Sequence, residues 1–185
     1  MNSFLKKKVR DLYLEKRIKI KNKEKKNLEI NDRVVNFFKN KKRKIISGYC
    51  SVKGEVNPYI SLNKLSSLGH LICLPEIVQK NQKLIFKSWN QHTEMKIGKF
   101  GIQVPLSKKV EIPNYLLVPI VSFDLFKNRL GYGGGYYDRT LSYLKNRNHC
   151  LSIGLAYDEQ IYESIPSEKF DQKLDMIITQ SMIIN

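Results

Sequence analysis

Nine consecutive residues, Tyr115-Leu-Leu-Val-Pro-Ile-Val-Ser-Phe123, are nearly all apolar and are bounded by polar residues. A half-exposed strand alternates apolar and polar side chains, so an unbroken run of this kind is expected of a central strand covered on both faces. Covering both faces takes helices on either side of a sheet. The run therefore predicts an α/β, single three-layer domain, a mostly parallel sheet flanked by helices in a Rossmann-like arrangement. At 185 residues the chain is long enough to bury one such core, and two domains over 1–185 would be strained.

The remaining pattern agrees with that class. Leu5, Val9 and Leu12 recur at helical spacing, and Leu28, Val34, Val35, Phe37 and Phe38 give a second helical stretch ending near Asn40, so 1–40 reads as amino-terminal helices. Between them, Lys19 to Lys26 is polar without an apolar period and reads as an exposed turn or loose helix end. From 44 to 185 the pattern is that of a sheet with flanking helices. The run from Lys44 to Ser51 reads as a strand. Asn57-Pro58 opens a helix with Asn57 as N-cap and Pro58 at its first position, and His70 to Glu76 reads as the next strand, completing a parallel crossover. Leu84 to Trp89 looks like a further strand, while Gln91 to Ile112 has no strong period. A helix over Tyr136 to Lys145, a strand from Cys150 to Tyr157 and a last strand at Met176 to Thr179 complete the prediction.

Several function classes recede on composition. No apolar stretch approaches the roughly 20 residues that cross a bilayer, and the start MNSFLKKKVR lacks a secretory apolar segment, so no membrane association and a cytoplasmic location are expected. Cys50, Cys73 and Cys150 are widely spaced in apolar runs and read as core thiols, and His70, His92 and His149 have no metal-site spacing. The net charge of +16 invites a nucleic-acid partner. Lysine is nevertheless abundant along the whole chain, which fits a basic surface that attracts small anions, and nucleic acid is not the expected partner.

The segment that carries chemistry runs from Val118 to Leu141. A buried strand ends at Asp124, Arg129 leads into Gly131, Gly133, Gly134 and Gly135, and a helix follows. Glycines let backbone amides approach an anion, and a helix amino terminus adds unpaired N–H groups and partial positive charge. This is neither a Walker A loop, which needs Gly-Lys-Ser/Thr, nor a dinucleotide fingerprint. A glycine cluster alone also suits a plain strand-to-helix connection. Arg129 before the loop, with Asp138 and Arg139 after it, favours a metal–nucleotide site, because a guanidinium matches phosphate oxygens and a carboxylate can hold Mg2+ against them.

The string Arg129-Leu-Gly-Tyr-Gly-Gly-Gly-Tyr-Tyr-Asp138 closely resembles the signature of the 5-formyltetrahydrofolate cyclo-ligase family, also called methenyltetrahydrofolate synthetases. The resemblance extends over nearly the whole chain. Lys6, Arg10 and Arg17 match that family's amino-terminal Lys-x-x-x-Arg pattern and a further arginine; Cys50 to Asn57 resembles its first-strand motif; Phe100-Gly-Ile-Gln-Val-Pro105 resembles its aromatic segment; and Asp171-Gln-Lys-Leu-Asp175 resembles its closing motif. The resemblance implies an ATP-dependent enzyme acting on a reduced folate. ATP would contact Lys6, Lys7, Lys8, Val9 and Arg10 together with Arg129, Leu130, Gly131, Tyr132, Gly133, Gly134, Gly135, Tyr136 and Tyr137. Folate would contact Cys50, Val52, Glu55, Phe100, Tyr132, the three glycines 133–135 and Tyr136. Lys6, Arg10, Arg129 and Tyr136 would be catalytic, and Asp138 and Asp175 would hold Mg2+.

The implied reaction joins ATP to the formyl oxygen of 5-formyltetrahydrofolate and closes the ring to 5,10-methenyltetrahydrofolate, releasing ADP and phosphate. A monomer is expected. The chain departs from the family at Val104, Ile120, Phe170 and Gln180, which raises the alternative of an ATP-binding relative with an altered folate site. The other alternative is a basic nucleic-acid-binding module.

Overall fold

A computed structural model describes residues 2–146 and 150–185; His149 lies outside them. The elements are α1 (Asn2–Ile18), α2 (Lys23–Phe38), β1 (Ile45–Ser47), α3 (Tyr59–Ser67), β2 (Leu71–Glu76), β3 (Ile85–Trp89), β4 (Met95–Ile97), β5 (Gln103–Pro105), β6 (Val110–Glu111), β7 (Tyr115–Pro119), β8 (Ser122–Phe123), β9 (Arg129–Leu130), α4 (Tyr136–Lys145), β10 (Leu151–Leu155), β11 (Met176–Ile178) and β12 (Ile183–Ile184). Eight strands form one sheet in the order β12-β11-β10-β7-β1-β2-β3-β6. Neighbours from β11 to β2 pair in parallel, and β12, β3 and β6 join antiparallel at the margins.

β7 sits mid-sheet and is buried on both faces. Tyr115 and Leu117 join one cluster with Ile30, Val34, Phe38, Leu62 and Leu65 of α2 and α3, while Leu116 and Val118 join another with Leu141 and Leu144 of α4. That alternation makes the predicted three layers. β1, α3 and β2 form the expected parallel crossover, with Ile45 opposite Leu71. The helix starts at Tyr59 with Pro58 as its N-cap, one residue later than expected, and Asn57 Oδ1 accepts the Tyr59 N–H at 3.1 Å from just outside it. α3 lies so close to β1 that a Cβ on Gly48 would stand 2.3 Å from Leu62.

Three readings need correction. β7 ends at Pro119, and the apolar run continues as a separate hairpin in which Ser122 and Phe123 pair with Leu130 and Arg129. Proline lacks an N–H for the ladder, and the next carbonyls are taken by side chains: Ile120 O accepts from Arg17 Nη1 at 3.0 Å and from Gln160 Nε2 at 2.6 Å. In α1 the buried face is Lys6, Val9, Tyr13 and Arg17, whereas Leu5 and Leu12 are exposed. Finally, Cys73 and Cys150 are buried as expected, but Cys50 lies beyond β1 and is half-exposed. The unpatterned stretch contains a β4–β5 hairpin whose pairs run from Met95–Pro105 to Ile97–Gln103.

Candidate functional site

The loops that follow β1 and β7 emerge at the carboxyl end of the parallel strands, where ligands of open α/β sheets gather. α1 lies across them. Val9 and Tyr13 pack with Val121, Leu130 and Ile165, and the Tyr13 hydroxyl donates to Ile161 O at 2.5 Å. Residues 6, 10, 13 and 17 are spaced to share one helix face, so anchoring Tyr13 turns Arg10 and Arg17 toward these loops and Lys6 toward the 168–171 turn.

The glycine loop is built as a close approach of backbone and cations. Gly133 (φ 91°) and Gly135 (φ 64°) occupy the left-handed region that costs a residue with Cβ dearly. Arg10 Nε donates to Gly131 O at 2.7 Å, and a Cβ on Gly133 would stand 3.4 Å from the Arg10 guanidinium. On the other side Arg139 Nη2 donates to Gly134 O at 2.6 Å. No side chain caps α4, so its first-turn N–H groups open onto the loop. Across from it stands the turn between β4 and β5. The cleft between them, of about 540 Å³, is lined by Lys80, Asn81, Lys99, Phe100, Gly133, Gly134 and Tyr136. Small-molecule sites typically hold roughly 300–1,000 Å³.

A profile of the 5-formyltetrahydrofolate cyclo-ligase family matches residues 2–180. The chain belongs to this family. It is 32% identical over 151 residues to the 5-formyltetrahydrofolate cyclo-ligase of Haemophilus influenzae, spanning 78% of this chain and 80% of that one. It is 31% identical over 180 residues to that of Mycoplasma genitalium, spanning 92% and 94%. Its fold superposes on a 5,10-methenyltetrahydrofolate synthetase from Mycoplasma pneumoniae with a TM-score of 0.77 at 25% identity, covering 95% of this chain and 99% of that one. The Aquifex aeolicus synthetase gives a TM-score of 0.75 at 28% identity, covering 97% and 91%.

Among the cyclo-ligase residues expected at ATP, Lys6, Arg10 and Arg129 to Tyr137 do surround one region, but not all in the anticipated way. Lys7 and Lys8 project to solvent and Val9 is core, because the inward face of α1 is the one through Lys6 and Arg17. Lys6 is buried against Asp171 (2.5 Å) and Glu168 (3.0 Å). Burial works against its charge, and the two carboxylates outweigh burial and raise its pKa. Arg129 Nη2 donates to Asp138 Oδ1 at 2.9 Å and Nη1 donates to Gln172 O, so Arg129 braces the loop against the 168–172 turn. Asp124 is wholly buried and serves as a staple, accepting from Phe126 N (3.0 Å), Asn128 N (2.9 Å), Asn128 Nδ2 (2.8 Å) and Ile165 N (2.9 Å).

The expected metal pair is not brought together. Asp175 accepts from Ser152 N (2.8 Å) and Oγ (2.6 Å) at the amino end of β10, and Lys145 at the end of α4 lies 3.7 Å away. Asp138 is in the first turn of α4. Seven residues separate it from Lys145, roughly 10 Å of helix rise. The physical reason is that Asp175 immediately precedes a parallel strand and so sits at the sheet's other end. The closing motif reaches the start of α4 through Gln172, whose N–H donates to Asp138 Oδ1 at 3.1 Å, while Asp171 beside it accepts from Lys6 Nζ and Glu168 N. Among the described residues no group of three or more His, Cys, Asp or Glu could hold a metal by itself. Mg2+ needs few protein ligands when phosphates supply the rest. Asp138 suits that role, since its hydrogen bonds fall on Oδ1 and leave Oδ2 for a cation.

Among the residues expected at the folate, Phe100 is 75% exposed at the tip of the β4–β5 turn, and its ring meets Tyr136 edge-on at 6.3 Å. Cys50 Sγ lies 2.9 Å from Tyr59 Oη and 3.1 Å from Gln103 O, and burial pushes its pKa up. Glu55 is buried and closes the turn from Val52 by accepting its N–H at 2.9 Å. Val104 is buried beneath the hairpin, while Phe170 is exposed. Arg17, matched in the sequence without a role, proves to be completely buried between the two sides; its spacing from Lys6 and Arg10 was the signal available for it.

Burial raises the Glu55 pKa more than Val52, Arg17 and Tyr132 lower it. The native state therefore holds that proton more tightly than the unfolded chain. Its contribution to stability is fully present below the ordinary carboxylate range and is lost as pH rises through the raised value. Denaturant midpoints measured across that window are expected to fall more for the wild-type chain than for Glu55→Gln, which carries no titrating group there; parallel profiles would remove Glu55 from the account.

Proposed function

We propose that this chain cyclises 5-formyltetrahydrofolate to 5,10-methenyltetrahydrofolate, with ATP converted to ADP and phosphate, in the cleft between the glycine loop and the β4–β5 turn. Family membership carries the reaction, and the arrangement of Arg10 and the α4 amino terminus around Gly131–Gly135 carries its placement.

A formamide oxygen is a weak nucleophile, so the work lies in making the γ-phosphorus receptive and in holding it in line. Arg10 spends Nε on Gly131 O, which aims the rest of its guanidinium across Gly133 at the space above the loop. The loop amides and the first turn of α4 face the same space. Together they neutralise phosphoryl oxygens as the formyl oxygen bonds to phosphorus and ADP departs. The N10 amine then attacks the formyl carbon, loses its proton, and the oxygen leaves with phosphate as the ring closes. Phe100 and Tyr136 cover the cleft and exclude water from the phosphorylated intermediate.

Mg2+, bound by Asp138 Oδ2 with Asp171 nearby, would supply charge neutralisation on the phosphates. Lys6 sets the position of Asp171 through their 2.5 Å contact. Among the described residues no helix is long and apolar enough to cross a membrane, which accords with action in the cytoplasm.

The test follows near-ultraviolet absorbance of the methenyl product with and without ATP, beside separate calorimetric titrations of the two ligands. Product is expected only with ATP, and each ligand is expected to bind. Heat from ATP alone would leave a nucleotide-binding relative and remove the folate reaction.

A further inference from the structure

We propose that Arg17 is a positioning residue that ties the glycine loop, through Tyr132, to the turn at Lys53–Glu55, so that a ligand settling on one of the two orders the other. The inference rests on the functional reading above.

Arg17 has no solvent exposure, and its donors are divided between the two sides. On the β1 side, Nε donates to Lys53 O at 3.2 Å and Nη1 lies 3.9 Å from Glu55 Oε1. On the loop side, Nη1 donates to Ile120 O at 3.0 Å and Nη2 to Tyr132 Oη at 2.5 Å. A guanidinium has no acceptor. The phenol oxygen must therefore accept from Arg17. Arg17 thus donates to both sides, to Tyr132 Oη and Ile120 O on one and to Lys53 O on the other.

Tyr132 stands between Gly131 and Gly133 in a stretch with no regular structure to hold it. Its hydroxyl end is fastened inside although the residue as a whole is 41% exposed, with Lys53 Nζ 5.6 Å from the ring centroid. Glu55 Oε2 meanwhile closes the turn at Val52 N. A shift of the loop would either drag that turn or strand a donor of Arg17 away from water. Leaving buried charged groups unpaired is costly, so the two segments move as one. Burial and Glu55 together push the Tyr132 hydroxyl up to about 12, which keeps it protonated at neutral pH.

The experiment titrates 5-formyltetrahydrofolate calorimetrically with and without adenosine 5′-(β,γ-imido)triphosphate, and the nucleotide analogue with and without the folate, using the full chain. For the wild type, each ligand should tighten the other by the same factor, roughly five-fold or more. Replacing Arg17 risks unfolding, so the deciding variant is Tyr132→Phe, which keeps the ring and removes only the link. Its thermal midpoint should fall, because the buried Arg17 Nη2 loses its acceptor, and the mutual factor should fall below about two-fold. A merely structural strut would move the midpoint and leave the mutual factor intact, and that result overturns the coupling. So does a wild-type chain that binds both ligands independently. Failure of the wild type to bind the folate at all would overturn the functional reading, and the coupling with it.

Discussion

Asp138→Asn is expected to lower turnover by about 10²–10³-fold, while Asp175→Asn leaves turnover within roughly a factor of two. Asp138 stands in the first turn of α4 with Oδ1 bound to Arg129 and to Gln172 N. An asparagine oxygen can keep those two hydrogen bonds, so the fold should be little disturbed. What it removes is the negative charge that Oδ2 offers to a cation beside the phosphates. Asp175 instead closes the amino end of β10 through Ser152. Its loss should appear as about 1–3 kcal/mol of stability. Saturating-ATP turnover together with denaturant unfolding of both variants checks the pair, and the reverse pattern would return the metal to Asp175.

Arg17→Met should destabilise the chain by about 3–5 kcal/mol, the usual cost of removing one member of a buried charged network. The methionine fills much of the volume but donates nothing. Lys53 O loses its recorded partner, Tyr132 Oη loses its donor, and Glu55 keeps its burial without the cation 3.9 Å away. Ile120 O retains Gln160 Nε2. Against a total of roughly 5–15 kcal/mol for a domain of this kind, the loss is a large fraction. Urea unfolding measures it, and a change below about 1 kcal/mol would mean that the cluster holds little of the fold together.

How far the site could be read in advance differs from residue to residue. The limits of α4 were readable to the residue, because glycines end abruptly at Tyr136 and an amphipathic run begins. The direction of α1 was not. Apolar periodicity selects Leu5, Val9 and Leu12, yet the helix turns a partly polar face inward, where Lys6 meets Asp171, Arg10 meets Gly131 and Arg17 meets Ile120 and Tyr132. A rule that equates burial with apolarity fails where buried polar groups find partners. Asp171 and Asp175 are equivalent as letters four apart. Which one lies beside the Gln172–Asp138 contact depends on which end of β11 each is near, and that follows from the parallel pairing of β11 with β10.

From its own pattern the chain declared a parallel sheet between helix layers and a glycine-rich loop opening a helix, because strand burial and glycine's backbone freedom are local properties written in residue type. Which cations lie near that loop, where the apolar run leaves the sheet, and which of the closing-motif aspartates pairs with Lys6 were decided only by tertiary contacts. Each of those depends on partners far away in sequence, such as Arg17 on Ile120 and Lys6 on Asp171, and no spacing within a short segment encodes them.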